Sequence, residues 1–158
     1  MPRHARTYFA YALVLTAGAT FFAIAAHALG TAADAKAMLD KTVAAIKVDK
    51  AKTLDEINAG TNGFLVGDIY PFCFNISDGK VVAVANPNRK ADIGNDIRTF
   101  KDATGDTFGQ RLYGAAKPDQ VNEVSYMIPK PGPDTTPAPK VSFVTTVAGL
   151  GCGVGYYK

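Results

Sequence analysis

An Asp-Gly pair set between two β-rich runs fixes the first piece of this chain. Residues 68–76 (DIYPFCFNI) are dense in aromatics and short of charge, Ser77-Asp78-Gly79 follows, and residues 80–85 (KVVAVA) form a second run. Asp-Gly is the dipeptide that tight hairpin turns demand, because their central residues take positive φ. The spacing therefore predicts an antiparallel hairpin. Pro71 interrupts the first run, so the strand starts at Pro71 or later, or bulges there.

The elements on either side limit what this hairpin joins. Residues 31–52 are rich in Ala and Lys, with apolar residues at Met38, Leu39, Val43 and Ile46 and, less regularly, Val48. That spacing is helical. Thr53-Leu-Asp-Glu56 reads as a capping box, which predicts a break near Lys52–Thr53 and a short second helix to about Asn58, ended by Gly60 and Gly63. Residues 86–105 form a long polar loop of the kind that serves function or acts as a lid. Residues 107–116 place Phe108, Leu112, Tyr113 and Ala116 on one face of a helix, with Asp106 or Thr107 as its cap and Pro118 beyond its end. Residues 121–128, 140–147 and 152–157 read as strands. Between the first two lies a stretch, residues 129–139, that holds five of the nine prolines and predicts a stiff extended connection. Helices first, then strands in hairpin order, give an α+β domain with a five-stranded antiparallel sheet. The long N-terminal helix would seat on one face, and the loop and short helix would cover the other.

The first 28 residues are of another kind. Arg3 and Arg6 open the chain, residues 8–26 carry no charge, and Ala26-His27-Ala28 offers small residues at the −3 and −1 positions of a cleavage site. This is the pattern of a secretory signal, so residues 1–28 read as a leader and residues 29–158 as a single exported domain. The domain is then periplasmic or secreted. The alternative is an anchor at residues 8–26, which are just long enough to span the inner membrane and would hold the domain on its outer side.

Removing the leader changes the chemistry available. Two of the 17 basic residues lie in it and none of the 14 acidic ones, which leaves 15 against 14. A domain so near neutrality has no electrostatic footprint for nucleic acid. Both histidines, His4 and His27, go with the leader. The domain then has no Ser-His-Asp or Cys-His catalysis, no His-ligated zinc or haem and no histidine switch. Asp92, Asp96, Asp102 and Asp106 lack the ligand pattern and terminal Glu of a calcium loop. No metal, no cofactor and no enzymatic activity is expected. The only cysteines, Cys73 and Cys152, are 79 positions apart, too far for a CxxC motif. In an oxidising compartment they form a structural disulfide, a redox pair or two buried thiols, and the spacing alone does not choose.

Several segments, taken in order, carry a resemblance. YPFCFNISDGKVVAVANP, then IGNDIRTFKDATGDTFGQRLY, then EVSYM, then PKVSFVTTV and GCGVGYY resemble the single Cache domain of type 2 over about residues 33–158. The resemblance implies a PAS-like sheet ordered 2-1-5-4-3 behind a long N-terminal helix. It also implies an extracytoplasmic sensor that binds a small metabolite, often a carboxylate or an amine. In that order the first and last strands are neighbours, which implies that Cys73 and Cys152 face each other. The chain ends straight after its last strand, at Lys158, which predicts a stand-alone exported form working with a membrane sensor protein as partner. Ala85 stands where receptors of this kind commonly have His.

The pocket implied by the resemblance lies between the sheet and its covering loop and helix. Arg98, flanked by Ile97 and Phe100, can clamp a carboxylate bidentately, or else pair with Asp96 or Asp102. Lys140 can bring a point charge to a ligand, or stand solvated at a strand end. Tyr70, Tyr113 and Tyr126 can offer hydroxyls from an apolar wall, or pack in the core. Asn86 serves turn geometry first and a ligand second. Gly151, Gly153 and Gly155 alternate along the last strand and leave one sheet face flat. The function predicted is binding of a small organic acid or similar metabolite without catalysis. The alternative is an interaction module with a vestigial pocket, filled by Phe72, Phe74 and Phe143, that docks to a membrane sensor partner.

Overall fold

A computed structural model describes residues 29–158, so the readings of the leader, the membrane anchor and both histidines lie outside the described residues. Among the described residues, no helix is long and apolar enough to cross a membrane. The chain begins with helix α1, Ala32–Val48, which starts at a true capping box. Asp34 N donates to Thr31 Oγ1 at 3.2 Å, and Thr31 N donates to Asp34 Oδ2 at 2.8 Å.

The helix break lies earlier than the sequence suggested. Asp49, in an extended conformation, closes α1 by donating its N–H to Ala45 O, and opens α2, Lys50–Ala59, by accepting from Lys52 N at 3.0 Å. One aspartate therefore caps two helices. Thr53, the expected cap, sits inside α2 and donates its hydroxyl to Asp49 O. A left-handed Gly60 ends α2, with Thr61 N reaching back to Glu56 O.

Strands β1 (Pro71–Asn75), β2 (Val81–Val84), β3 (Asn122–Pro129), β4 (Pro137–Val147) and β5 (Leu150–Tyr157) form one antiparallel sheet in the order β2-β1-β5-β4-β3. This is the α+β fold and the strand order that the resemblance implied. Pro71 is the first residue of β1, and the register slips once, between Cys73 and Phe74. Two strands start earlier than predicted. Ala148 and Gly149 both take positive φ (48° and 80°), so a two-residue turn suffices and β5 begins at Leu150. The proline stretch is not one extended connection, because its ends belong to β3 and β4. Pro139 turns its carbonyl toward Lys158 N at 2.9 Å, so its missing N–H takes nothing from the ladder with β3.

The polar loop contains two 3-10 turns, Pro87–Asp92 and Ile97–Thr99, and then helix α3, Phe108–Ala115. Thr107 sits at the start of α3 but makes no side-chain cap, and Asp106 pairs with Arg111 instead.

Side-chain alternation sorts the core into two layers. Cys73, Leu150, Cys152 and Val154 face α1 and α2, meeting Leu39, Ile46 and Ile57. Phe74, Val124, Tyr126 and Val144 face the loop and α3, meeting Ile97, Phe108 and Leu112. Phe143 belongs to the α1 side, where it stacks on Tyr156, so the face filled jointly by Phe72, Phe74 and Phe143 does not exist. Cys73 and Cys152 stand directly opposite in the β1–β5 register with Cα atoms 4.1 Å apart, and they form a disulfide in the α1 layer.

That bond closes a loop of 79 residues, for which chain entropy gives roughly 4–5 kcal/mol as an upper bound. Replacing both cysteines by alanine is expected to lower unfolding free energy by about 3–5 kcal/mol. Urea unfolding of the exported protein checks this, and an unchanged midpoint would show that the bridge carries little of the stability.

Candidate functional site

The site is built on the face of β5 that carries no side chains over most of its length. A Cβ on Gly151 would stand 2.3 Å from the Phe74 ring, and one on Gly153 would stand 2.6 Å from the Phe72 ring. A Cβ on Gly155 would meet Ser142 Oγ at 2.6 Å and Lys140 Cε at 2.7 Å. The glycines thus let two aromatic rings and a lysine stem lie flat on the sheet. The next residue in that alternation, Tyr157, restores a side chain on the same face.

Register then sets a row across three strands. Tyr126 of β3 stands opposite Lys140 of β4, which stands opposite Tyr157 of β5. Lys140 is only 4% exposed. Its Nζ lies 4.4 Å from the Tyr157 ring centroid and 4.9 Å from that of Tyr70, and no hydrogen-bond acceptor or acidic partner meets it among the described residues. The ring faces hold the ammonium by cation–π attraction without neutralising it. The two phenols beside it are already engaged: Tyr126 Oη with Ser142 Oγ at 2.7 Å, and Tyr157 Oη donating to Pro129 O at 2.7 Å. Burial pushes the Tyr126 phenol well above its ordinary pKa and Tyr157 up to about 12, so both stay neutral.

Three fixings hold the cover over this row. Asn86 accepts from Asn88 N and caps the first 3-10 turn. Lys90 on that turn donates to Asn58 O at 2.5 Å and to Val84 O, which ties the cover to α2 and β2; burial lowers its ammonium pKa. Asn58 itself pairs with the β2 edge, its Nδ2 donating to Val82 O and its Oδ1 accepting from Val84 N. The second fixing is Arg98, which holds Asp96 through Nε and Nη2 at 2.7–3.0 Å, donates to Asp78 O at 2.8 Å, and lies over the Tyr113 ring. These bonds hold the Asp96 carboxyl below its usual range and raise the Arg98 guanidinium. The third is Asp102, which accepts from the Thr104 hydroxyl and from Met127 N of β3 and is drawn down to a pKa of about 2.

Beneath the cover is a cavity of about 310 Å³. Phe72, Val81, Ile97, Phe100, Phe108 and Leu112 give it apolar walls; Tyr70, Asn86, Asn88, Arg89, Asp92, Tyr126, Lys130, Lys140 and Tyr157 supply its polar atoms. Of the residues singled out by sequence, Tyr70, Asn86, Tyr126 and Lys140 come together here. Arg98 and Tyr113 do not line it: Arg98 is taken by Asp96 and Asp78, and Tyr113 donates its hydroxyl to Ile76 O at 2.6 Å. Sequence reasoning missed Arg89, whose Nε meets Asp92 at 2.6 Å, because no apolar neighbour marks it. It also missed Tyr157, although the glycine alternation pointed to it. Among the described residues no cluster of acidic, Cys or His side chains could hold a metal.

A family model described as Single Cache domain 2 matches residues 25–157. No curated protein matches the chain. Solved structures share its fold, among them three from chemotaxis and chemosensory proteins. A periplasmic sensor domain of a chemotaxis protein is 23% identical over 77% of this chain and 86% of that one, with a TM-score of 0.56. A methyl-accepting chemotaxis protein from Vibrio parahaemolyticus is 22% identical over 79% and 86%, with a TM-score of 0.59. A Cache chemosensory domain, described as the structural basis for carboxylic acid recognition, is 21% identical over 77% and 84%, with a TM-score of 0.52.

The folded pKa of Asp102 lies below its ordinary 3.8, so its contribution to stability is whole above about pH 4 and is lost as pH falls toward 2. Asp102→Asn is expected to be less stable than the parent at pH 6, with the gap closing toward pH 2. Urea midpoints measured across that range test this; a gap that stays constant would mean that Asp102 acts through packing alone.

Proposed function

The chain belongs to the Single Cache domain 2 family, and from that premise we propose that it is an exported, non-catalytic receptor for a small organic acid. Lys140 carries the reading. It is a buried ammonium with three donors, caged by two tyrosine rings and without an anion of its own among the described residues. A carboxylate entering the cavity completes it, in the charge-assisted geometry that is the stronger kind of hydrogen bond. The apolar walls of Phe72, Ile97, Phe108 and Leu112 suit a short carbon chain or ring behind that carboxylate. A free amine is disfavoured by the lysine charge, and the one wall carboxylate, Asp92, is tied to Arg89. The proposed ligand set is therefore Lys140 with Tyr70, Tyr126, Asn86, Tyr157 and Arg89, and it leaves out Arg98 and Tyr113. Among the described residues no histidine or cysteine lines the cavity, which favours binding over chemistry. In this reading the leader is removed, the domain works in the periplasm, and its bound state is passed to a membrane sensor protein.

A thermal-shift and calorimetry panel of monocarboxylates, dicarboxylates, amino acids and amines tests it. At least one acid is expected to stabilise the protein, and its amide or methyl ester to fail. Lys140→Met is expected to weaken that acid about 10- to 100-fold, whereas Lys36→Ala, on the exposed face of α1, leaves the affinity unchanged. Equal binding of acid and amide, or silence across the whole panel, would overturn the reading.

A further inference from the structure

One buried charge takes no part in the cavity walls. Asp68 sits between α2 and β1, in a short segment where Val66 and Ile69 exchange both backbone hydrogen bonds at 3.0 Å. It is 6% exposed. Its Oδ1 accepts from Gly30 N at 2.7 Å. Its Oδ2 is fully buried and has no hydrogen-bond partner among the described residues. Leaving a carboxylate oxygen unmet in the interior costs folding free energy, so such an atom calls for an occupant.

We propose that Asp68 Oδ2 is the receptor for the α-ammonium of Leu29, the group created when the leader is cut after Ala28. Position argues for it first. Consecutive backbone nitrogens are at most about 3.7 Å apart, and Gly30 N is already bonded to this carboxylate. The Leu29 nitrogen is confined to the same neighbourhood. The approach is also close by design: a Cβ on Gly30 would stand 2.1 Å from Ile69 Cγ1, so the backbone passes flush against the Asp68 segment. Chemistry argues for it second. In an uncut chain the Leu29 nitrogen is a peptide N–H with one fixed direction, and Oδ2 gains nothing from it. A cut chain presents three donors and a positive charge that turn freely to meet it. The next amide is provided for as well, since Thr31 N donates to Asp34 Oδ2. The carboxylates of Asp68 and Asp34 thus serve Gly30 and Thr31, and the buried Oδ2 of Asp68 is left for the residue before them. Tyr157 also feels the Asp68 charge, and it stays neutral.

This assignment rests on cleavage at Ala28 and is independent of what the cavity binds. The intact mass of the exported protein is expected to correspond to a chain beginning at Leu29; a different first residue overturns the proposal. The pH dependence of acylation at the Leu29 α-amine, read by peptide mass, is expected to give a pKa at least one unit above the ordinary value of about 7.7–8.0, falling back to it in Asp68→Asn. Inserting Ala-Ser between Ala28 and Leu29 moves the ammonium out of reach. It is expected to lower the melting temperature by about 4 °C or more in the parent and to change nothing in Asp68→Asn. Should Asp68→Asn not fold, the parent alone decides: an ordinary α-amine pKa, or an insertion without thermal effect, overturns the proposal.

Discussion

The pairing of β1 with β5 is the constraint from which the rest follows. Side chains alternate along a strand, so the register that puts Cys73 opposite Cys152 also puts Phe72 opposite Gly153 and Phe74 opposite Gly151. One face of the central pair is thereby committed to sulfur and aliphatic packing under α1, and the other to rings lying on bare glycine backbone. A slip of one residue would exchange the two faces, pressing the phenylalanines into α1 and turning the cysteines toward the cavity. The disulfide forbids that slip covalently, and the glycines forbid it sterically.

Because β5 is central, its order is passed to β4. Lys140, Ser142 and Val144 fall on the cavity side, and Val141 and Phe143 on the helix side. The row Tyr126–Lys140–Tyr157 is thus a consequence of backbone pairing and not of loop placement. The cover has a different origin. It is fastened by polar side chains reaching backbone carbonyls and amides at its two ends and its middle: Lys90 to α2 and β2, Arg98 to the hairpin turn, and Asp102 to β3. A sheet-borne cation under a cover pinned at three separate points is a preorganised arrangement, in which a ligand need order few groups on entry.

What could be read from the sequence divides along the same line. The hairpin, the two-layer arrangement and the flat glycine face depend on period-two alternation and turn residues, and all are visible in DIYPFCFNISDGKVVAVA and in GCGVGYY. The helix break was misplaced because two capping patterns overlap, and Asp49, which serves both helices at once, prevailed over Thr53. Arg98 looked like a ligand clamp because Ile97 and Phe100 flank it. Yet Asp96, two residues away, caps the same turn and takes the guanidinium fork. Local side-chain pairing of this kind depends on turn geometry that periodicity does not encode. Arg89 was hidden for the converse reason: a cavity residue on a polar turn has no apolar pattern to announce it. Tyr157 was within reach, since it continues the spacing of Gly151, Gly153 and Gly155.

How the ammonium of Lys140 is held decides what kind of partner it can accept. An acidic neighbour would stabilise a buried lysine more simply, but it would also neutralise the lysine and leave nothing to attract an anion. Two tyrosine faces stabilise the cation by about 0.5–2 kcal/mol, through ring quadrupoles that carry no net charge. The Tyr126 and Tyr157 phenols could have become acidic neighbours themselves, but desolvation keeps them protonated. The positive charge therefore stays uncompensated at the edge of an apolar space, where Coulomb attraction is screened less than in water. An arginine in the same place would fork toward two acceptors, and the Ser142–Tyr126 pair offers oxygen atoms it could take. The compact ammonium, stacked beneath two rings, keeps its donors for whatever enters the cavity.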